Sequence, residues 1–441
     1  MTTIGIVSLG CPRNLVDSEV LLGLLRKNGF KISDIELGVD VAIVNTCGFI
    51  KDAKEESIDV ILQASQLKKE GKVKTLVVAG CLAQRYADEI ANDLPEVDAF
   101  VGTSDFVKIP GIIRGLAGTH PTIEVSKVPR YLYDGTTPRE VITQKHFVYI
   151  KISEGCDNKC SYCVIPSLRG PLRSRTVESV LREARQITTP QLREINIIGQ
   201  DITLFGAERY RRPMLSALLG KICGENVSVG WIRLLYTHPA HYTDELIECI
   251  AREKKICNYL DLPIQHCSDR ILKEMNRRVS KAEIVGLIQK IRTKIPRAAI
   301  RTSIIVGFPG ETEKEFSELL RFMREIRFER LGAFMYSREE GTKAHGLEGQ
   351  IPEEEKKRRF DEVMRTQQVI SEEKNKGLIG KELTVLIDEK EGGRFFGRTE
   401  WDAPEVDGGV YVSGKNARLG EFCRARITDT FEYDLVGEAL P

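Results

Sequence analysis

From residue 4 to about residue 336, apolar runs of strand length alternate with helical stretches, and that alternation predicts parallel sheets. In the first third, strands are expected at 4–9, 41–45, 75–79 and 97–101, with helices at 14–27, 52–67 and 82–92. The strands read as unbroken apolar runs, as strands buried on both faces do. The expectation is a doubly wound parallel α/β domain over residues 1–117, followed by a linker rich in Gly and Pro at 118–141. A second series has strands at 146–152, 194–198, 231–236, 257–262, 299–306 and 331–336, with helices at 176–187, 213–223, 243–253, 281–294 and 313–327. Six such units suit a partial TIM-type (βα)6 barrel over 142–372, with its chemistry in the loops after the strands. The charged stretch at 352–377 reads as an exposed connecting helix. Over 375–441, strands at 383–387, 395–399, 409–412, 422–428 and 431–436 suggest a small antiparallel β-barrel of the OB type.

The cysteines fall at telling places on this frame. Cys156, Cys160 and Cys163 lie in one loop directly after the first barrel strand. They are too few for a closed structural zinc site, which takes four ligands. Three thiolates can instead hold three corners of an iron–sulfur cube and leave one iron open to a small molecule. In the first domain, Cys11, Cys47 and Cys81 each come just after a strand, in Gly10-Cys11-Pro12, Thr46-Cys47-Gly48 and Gly80-Cys81-Leu82. The carboxyl ends of parallel strands share one edge, so these three should converge although they are far apart in sequence. That reads as a second three-thiolate cluster; the bland alternative is three small buried cysteines. Cys223, Cys249, Cys257 and Cys267 show no ligand spacing and are expected to be structural.

Hydrophobic residues make up 41% of the 441 and charged residues 29%, which fits a soluble globular chain. Nothing reads as a signal peptide or a membrane span, so a cytoplasmic protein is expected, where eleven cysteines argue for metal or redox chemistry over disulfides. A net charge of +1 gives no sign of a dedicated nucleic-acid binder. Residues 376–441 carry nine Lys and Arg against thirteen Asp and Glu. A barrel with that balance would repel a polyphosphate and attract a basic protein.

The CxxxCxxC spacing, with Tyr162 before the last cysteine, resembles the signature of the radical S-adenosylmethionine (SAM) superfamily. With the three-cysteine first domain and a tail resembling the TRAM type, nearly the whole chain resembles the methylthiotransferases of that superfamily. The stretches Ser8-Leu9-Gly10-Cys11-Pro12-Arg13-Asn14 and Asn45-Thr46-Cys47-Gly48-Phe49-Ile50 are similar to the RimO branch, which modifies an aspartate of ribosomal protein S-twelve. The resemblance implies a transferase with two 4Fe-4S clusters, bound through Cys156, Cys160 and Cys163 and through Cys11, Cys47 and Cys81. It implies that SAM serves both as radical source and as methyl donor, with exogenous or cluster-bound sulfide supplying the sulfur. A 5′-deoxyadenosyl radical would take a hydrogen from the aspartate β-carbon, and the methylthio group would replace it.

Polar groups at the barrel strand ends are the expected contacts of SAM: Tyr162, Gln200, Asp201, Gln265, Arg301, Ser303, Gly307, Gly310 and Glu311. Each could equally be a cap or turn residue, as Thr312 could be for the helix it precedes. Beyond the cluster ligands, no separate catalytic side chain is expected. The expected partners are a basic ribosomal protein, free or in the small subunit, and an electron donor of the flavodoxin and reductase type. No membrane partner is expected, nor stable nucleic-acid binding by the acidic tail. One alternative is methylthiolation of adenosine in tRNA, which a basic tail would favour. Another is a non-catalytic iron–sulfur electron carrier or RNA-binding module, which would not cleave SAM.

Overall fold

The computed structural model describes residues 1–116, 121–225 and 229–441. Its first sheet is formed by β1 (Thr3–Ser8), β2 (Lys31–Ile32), β3 (Val39–Thr46), β4 (Val73–Gly80), β5 (Ala99–Val101) and β6 (Thr122–Glu124). The strand order is β2-β1-β3-β4-β5-β6, with every pair parallel. Alternate residues of β3 point to opposite faces. Val41 and Ile43 pack with Val16, Val20 and Leu25 of the helix Pro12–Lys27. Ala42 and Val44 pack with Ile61 and Ala64 of Lys51–Lys69 and with Ala83 and Ala87 of Cys81–Ile90. Helices therefore cover both faces, as the doubly wound reading requires. Two short strands escape sequence reading. β2 has two residues, and β6 lies inside the stretch taken as linker, of which residues 118–120 fall outside the described residues. Both are too short to carry an apolar run, and neighbouring strands impose their pairing.

The second sheet begins with β7 (Phe147–Lys151), after which β8 (Ser153–Glu154) and β9 (Arg173–Ser174) form a small antiparallel pair. It continues with β10 (Glu194–Ile198), β11 (Trp231–Leu234), β12 (Ile256–Asp261), β13 (Ala299–Val306) and β14 (Arg330–Met335). The order β14-β13-β12-β11-β10-β7 is all parallel and leaves the barrel open. Outward residues such as Val148, Ile150, Ile195 and Ile197 pack under the helices. Several inward residues are charged and buried, among them Lys151, Glu194, Arg233 and Asp261.

Five strands close the last unit: β15 (Glu382–Glu391), β16 (Arg394–Arg398), β17 (Val410–Ser413), β18 (Phe422–Thr430) and β19 (Leu435–Ala439). The barrel is antiparallel except that β17 pairs with β19 in parallel. The last strand starts four residues later than expected, because the Phe431 N–H bonds the Asp434 carbonyl and turns the chain there. This unit packs on the inward face of the central sheet, where Leu386 and Ala403 share a core with Tyr149, Trp231 and Tyr259. Arg398 pairs with Glu194 at 2.7 Å, Arg233 donates to Glu194 at 2.7 Å and to the Glu400 carbonyl at 2.8 Å, and Arg330 pairs with Asp402. Each buried ion thus has a partner across the interface, as burial of charge requires. The charged helix Glu353–Lys376 also departs from expectation. Its Lys356, Arg359, Val363, Gln367 and Ile370 are buried, so it packs along the barrel edge and does not stand free as a connector.

Candidate functional site

The loop after β7 is pinned from three directions. The Cys156 N–H bonds the Gly170 carbonyl at 3.1 Å, the Ser161 N–H bonds the Met275 carbonyl at 3.0 Å, and the Ala344 N–H bonds the Ser161 carbonyl at 2.8 Å. Tyr162 packs against a buried cluster that includes Met275, Phe308 and Tyr336. Its phenol is pushed well above the usual range by burial and by the Cys160 thiol. Burial and the Cys160 and Cys156 thiols push Cys163 up to about 12, and burial pushes Cys156 up to about 11. Arg277 brings a guanidinium to 3.6 Å from Cys160 Sγ.

The other three cysteines do converge. Burial and the Cys81 and Cys11 thiols push Cys47 up to about 11, and burial pushes Cys81 up as well. Cys11 moves the other way. Burial opposes ionisation there, but the Arg13 and Arg169 charges bring it down to about 7. The backbone is cut to fit: Gly10 has φ +84°, and a Cβ on it would lie 2.9 Å from Cys47 Cβ. A Cβ on Gly48 would lie 2.8 Å from the Cys81 backbone. These two positions need glycine for close approach. Behind the triad sits a buried network in which Lys151 and Arg169 both contact Asp17 and Glu154, and Arg169 reaches Cys81 Sγ at 3.5 Å. Asp17 belongs to the first unit and the other three to the barrel, so the network locks the two together.

The two triads are neighbours. Cys81 packs on Val164 and Leu168, directly after Cys163. Arg13 stands 3.4 Å from Cys11 Sγ, and its charge also acts on Cys163. The other five cysteines lie elsewhere: Cys249 and Cys267 are in the outer barrel core, with Cys223 against it, Cys257 is in the inner core and Cys423 in the last barrel.

The strand-end residues separate into two groups. Asp201 and its neighbours lie beside the cysteine loop. Its carboxylate accepts from Asn158 at 2.7 Å and pairs with His241 at 2.8 Å, and the His241 bond holds it below the usual carboxylate range despite burial. His238 stacks on His241 with ring centres 4.6 Å apart, and its Nε2 is buried without a partner. Burial and the Arg277 charge push His238 down to about 2, so that ring is neutral. Asp201, His238 and His241 could present ligand atoms within 4.8 Å of one another, but the Arg277 cation beside them suits a hydrogen-bonded group better than a metal cage. Gln200 is half-buried at the end of β10. Gln265 has φ +70° and bridges to Ile304, with its N–H on the Ser303 carbonyl at 2.8 Å.

The second group is occupied by the fold. Arg301 pairs with Asp261 at 3.1 Å and with Asp407 of the last unit at 3.3 Å. Glu311 accepts the Gly307 N–H and pairs with Arg359 at 3.1 Å, and Gly310 bonds the Gly349 carbonyl at 2.8 Å. Thr312 is a helix cap, in a capping box with Glu315. Sequence reading missed His238, His241, Arg169 and Arg277. The two histidines follow β11, so the strand-end rule could have found them. The arginines carry no local signal, because only the fold brings them to sulfur.

Comparisons with known proteins agree with this layout. Residues 3–102 match the family described as "Uncharacterized protein family UPF0004", residues 150–323 the radical SAM superfamily, and residues 379–440 the TRAM domain. The chain is 47% identical to the ribosomal protein uS12 methylthiotransferase RimO of Geotalea uraniireducens, over 99% of this chain and 98% of that protein. It is 48% identical to the RimO of Pelotomaculum thermopropionicum, over 99% of both. Among solved structures, the radical SAM methyltransferase TsrM from Kitasatospora setae aligns with a TM-score of 0.55 at 13% identity, covering 76% of this chain and 73% of that one; the likeness is one of fold. By its full-length identity to these relatives, the chain belongs to the RimO family of radical SAM methylthiotransferases.

Proposed function

We propose that the protein replaces a β-carbon hydrogen of an aspartate in ribosomal protein uS12 with a methylthio group. One observation carries the reading: two separate triads of thiols, one from a loop and one from three strand ends, lie side by side. Each triad would hold a 4Fe-4S cluster through three sulfurs, Cys156, Cys160 and Cys163 in one and Cys11, Cys47 and Cys81 in the other. The residues fit such groups, since each triad has a guanidinium within reach of a sulfur and the nearby backbone carries glycine where a Cβ would collide. Clusters, SAM and sulfide bound there supply a radical able to break an unactivated C–H bond and the sulfur that replaces the hydrogen.

The chain's own groups do the rest. Val164 and Leu168, both buried, keep water from the junction of the triads. Gln200, Asp201, Gln265 and Ser303 are the strand-end groups we assign to SAM, with neutral His238 offering an unpaired nitrogen on the same side. Arg301, Gly310 and Glu311 act one step behind, holding the loops in place. The relatives named as uS12 methylthiotransferases support the substrate, and the acidic C-terminal barrel suits a basic partner. We assign electron supply to a flavodoxin-type donor and the setting to the cytoplasm.

The test offers the reduced, anaerobically reconstituted protein SAM and sulfide, together with either uS12 or an anticodon stem-loop RNA. The expected result is a mass gain of one methylthio group on uS12 at its aspartate. Modification of the RNA alone would overturn the substrate assignment, and the absence of 5′-deoxyadenosine would overturn the reaction itself.

A further inference from the structure

Beside the cysteine loop, the barrel mouth carries a rim of arginines. β8 and β9 flank that loop, and Ser174 of β9 fastens the loop that follows β10. The Gly206 N–H donates to Ser174 Oγ at 2.8 Å, the Ser174 N–H and hydroxyl donate to Glu208, and Arg209 Nε donates to the Ser174 carbonyl at 3.2 Å. So held, the short helix Ala207–Tyr210 stops at Arg211, whose φ of +57° is uncommon for a residue with a side chain. Arg209, Tyr210, Arg211 and Arg212 are all exposed. Arg182, exposed on the helix Val177–Ile187, lines one depression of about 320 Å³ together with Arg209.

The charge of this rim is not balanced locally. Among the described residues, no carboxylate forms an ion pair with Arg182, Arg209, Arg211 or Arg212, whereas Arg185 on the same helix pairs with Glu225. Two nearby acids are engaged: Asp134 accepts from the Thr136 N–H and hydroxyl, and Glu208 accepts from Ser174. Glu178 also lines the depression. Four exposed guanidinium groups repel a basic protein and attract a polyphosphate. Their forks match phosphate oxygens two at a time, and the Tyr210 ring, 36% exposed, offers a face to an unpaired base. The C-terminal barrel has the opposite balance, nine Lys and Arg against thirteen Asp and Glu. A ribonucleoprotein complements both surfaces, whereas a free basic protein complements one.

We propose that Arg182, Arg209, Arg211 and Arg212, with Tyr210, dock on RNA phosphates next to uS12, so that the preferred substrate is the assembled small subunit. This docking rests on the uS12 reading above and adds the form in which uS12 is met.

The experiment uses the full reconstituted protein, purified small subunits whose uS12 is unmodified, and purified free uS12. Binding to subunits is read by co-sedimentation, and modification of both substrates by mass. The variant combines Arg182→Gln, Arg211→Gln and Arg212→Gln and leaves Arg209 to hold its loop. Subunit binding should weaken by about tenfold or more at low salt, with its log–log salt slope smaller by about two to three, because each lost phosphate contact removes close to one. Iron content and turnover of free uS12 should not change. Tyr210→Ala should weaken subunit binding with the salt slope kept. Equal subunit binding by parent and variant would overturn the proposal, as would a parent that does not bind subunits or an equal loss of turnover on both substrates. If the triple variant loses iron, Arg212→Gln alone decides: weaker subunit binding with iron retained supports the proposal, and unchanged binding overturns it. A parent that binds subunits through these arginines but modifies uS12 in neither form would overturn the uS12 reading and leave the RNA contact standing.

Discussion

The two thiol triads reach similar ends by opposite routes. Cys156, Cys160 and Cys163 come from eight consecutive residues, and their geometry is set by one loop that other parts of the barrel pin in place. Cys11, Cys47 and Cys81 come from three strand ends spread over seventy-one residues, and they meet only because β1, β3 and β4 are adjacent and parallel. The first site tolerates change elsewhere in the chain as long as its loop is held. The second depends on the whole first sheet and on its seam with the barrel. The electrostatics differ as well: the loop site raises Cys156 and Cys163, whereas Arg13 and Arg169 bring Cys11 of the sheet site down to about 7.

Substitutions can separate the two sites. The largest effect belongs to the seam. Arg169→Met leaves Asp17 and Glu154 buried with Lys151 alone and should cost about 3–5 kcal/mol of stability. Chemical denaturation would measure this, and a loss below about 1 kcal/mol would mean that the two units are not joined through this network. Next, replacing Cys156, Cys160 and Cys163 by Ala should abolish 5′-deoxyadenosine formation and leave about half the iron. Gly48→Ala should act on the sheet site alone. Its new Cβ meets the Cys81 backbone, so iron at that site should fall while 5′-deoxyadenosine persists. Equal loss at both sites would mean that the sites do not form independently. The mildest test uses the metal-free protein. Iodoacetamide near pH 8 should alkylate Cys11 well before Cys163, since one thiol lies at about 7 and the other at about 12; reversed order would contradict the assigned electrostatics.

How much of this was legible in the sequence follows from the same contrast. The loop site is written in local spacing, and the sheet site could be inferred because strand ends share an edge. What escaped lies at the seams. Lys356 and Arg359 look like a solvated charge run, but their helix lies on the barrel, where Arg359 meets Glu311. Glu400, Asp402 and Asp407 look like ordinary loop acids, yet their carboxylates receive Arg297, Arg330 and Arg301 from the central barrel. Sequence pattern reports which residues avoid water, not which distant ion will pair with them. His238 and His241 were reachable, because they follow a barrel strand like the other strand-end groups.

The partnering of Glu194 and Arg233 by the last unit also changes how that unit must be studied. Deleting residues 376–441 would strand buried charge in the barrel, so point substitutions on its outer acids are the sounder probe of substrate capture.

One comparison separates the work of the two triads. The Cys11→Ala, Cys47→Ala, Cys81→Ala triple variant and the parent protein are each given SAM, reductant, sulfide and uS12, and 5′-deoxyadenosine and protein mass are read from the same reaction. 5′-Deoxyadenosine is expected from both proteins, and the methylthio mass gain from the parent alone. A methylthiolated uS12 from the triple variant would contradict this division of labour.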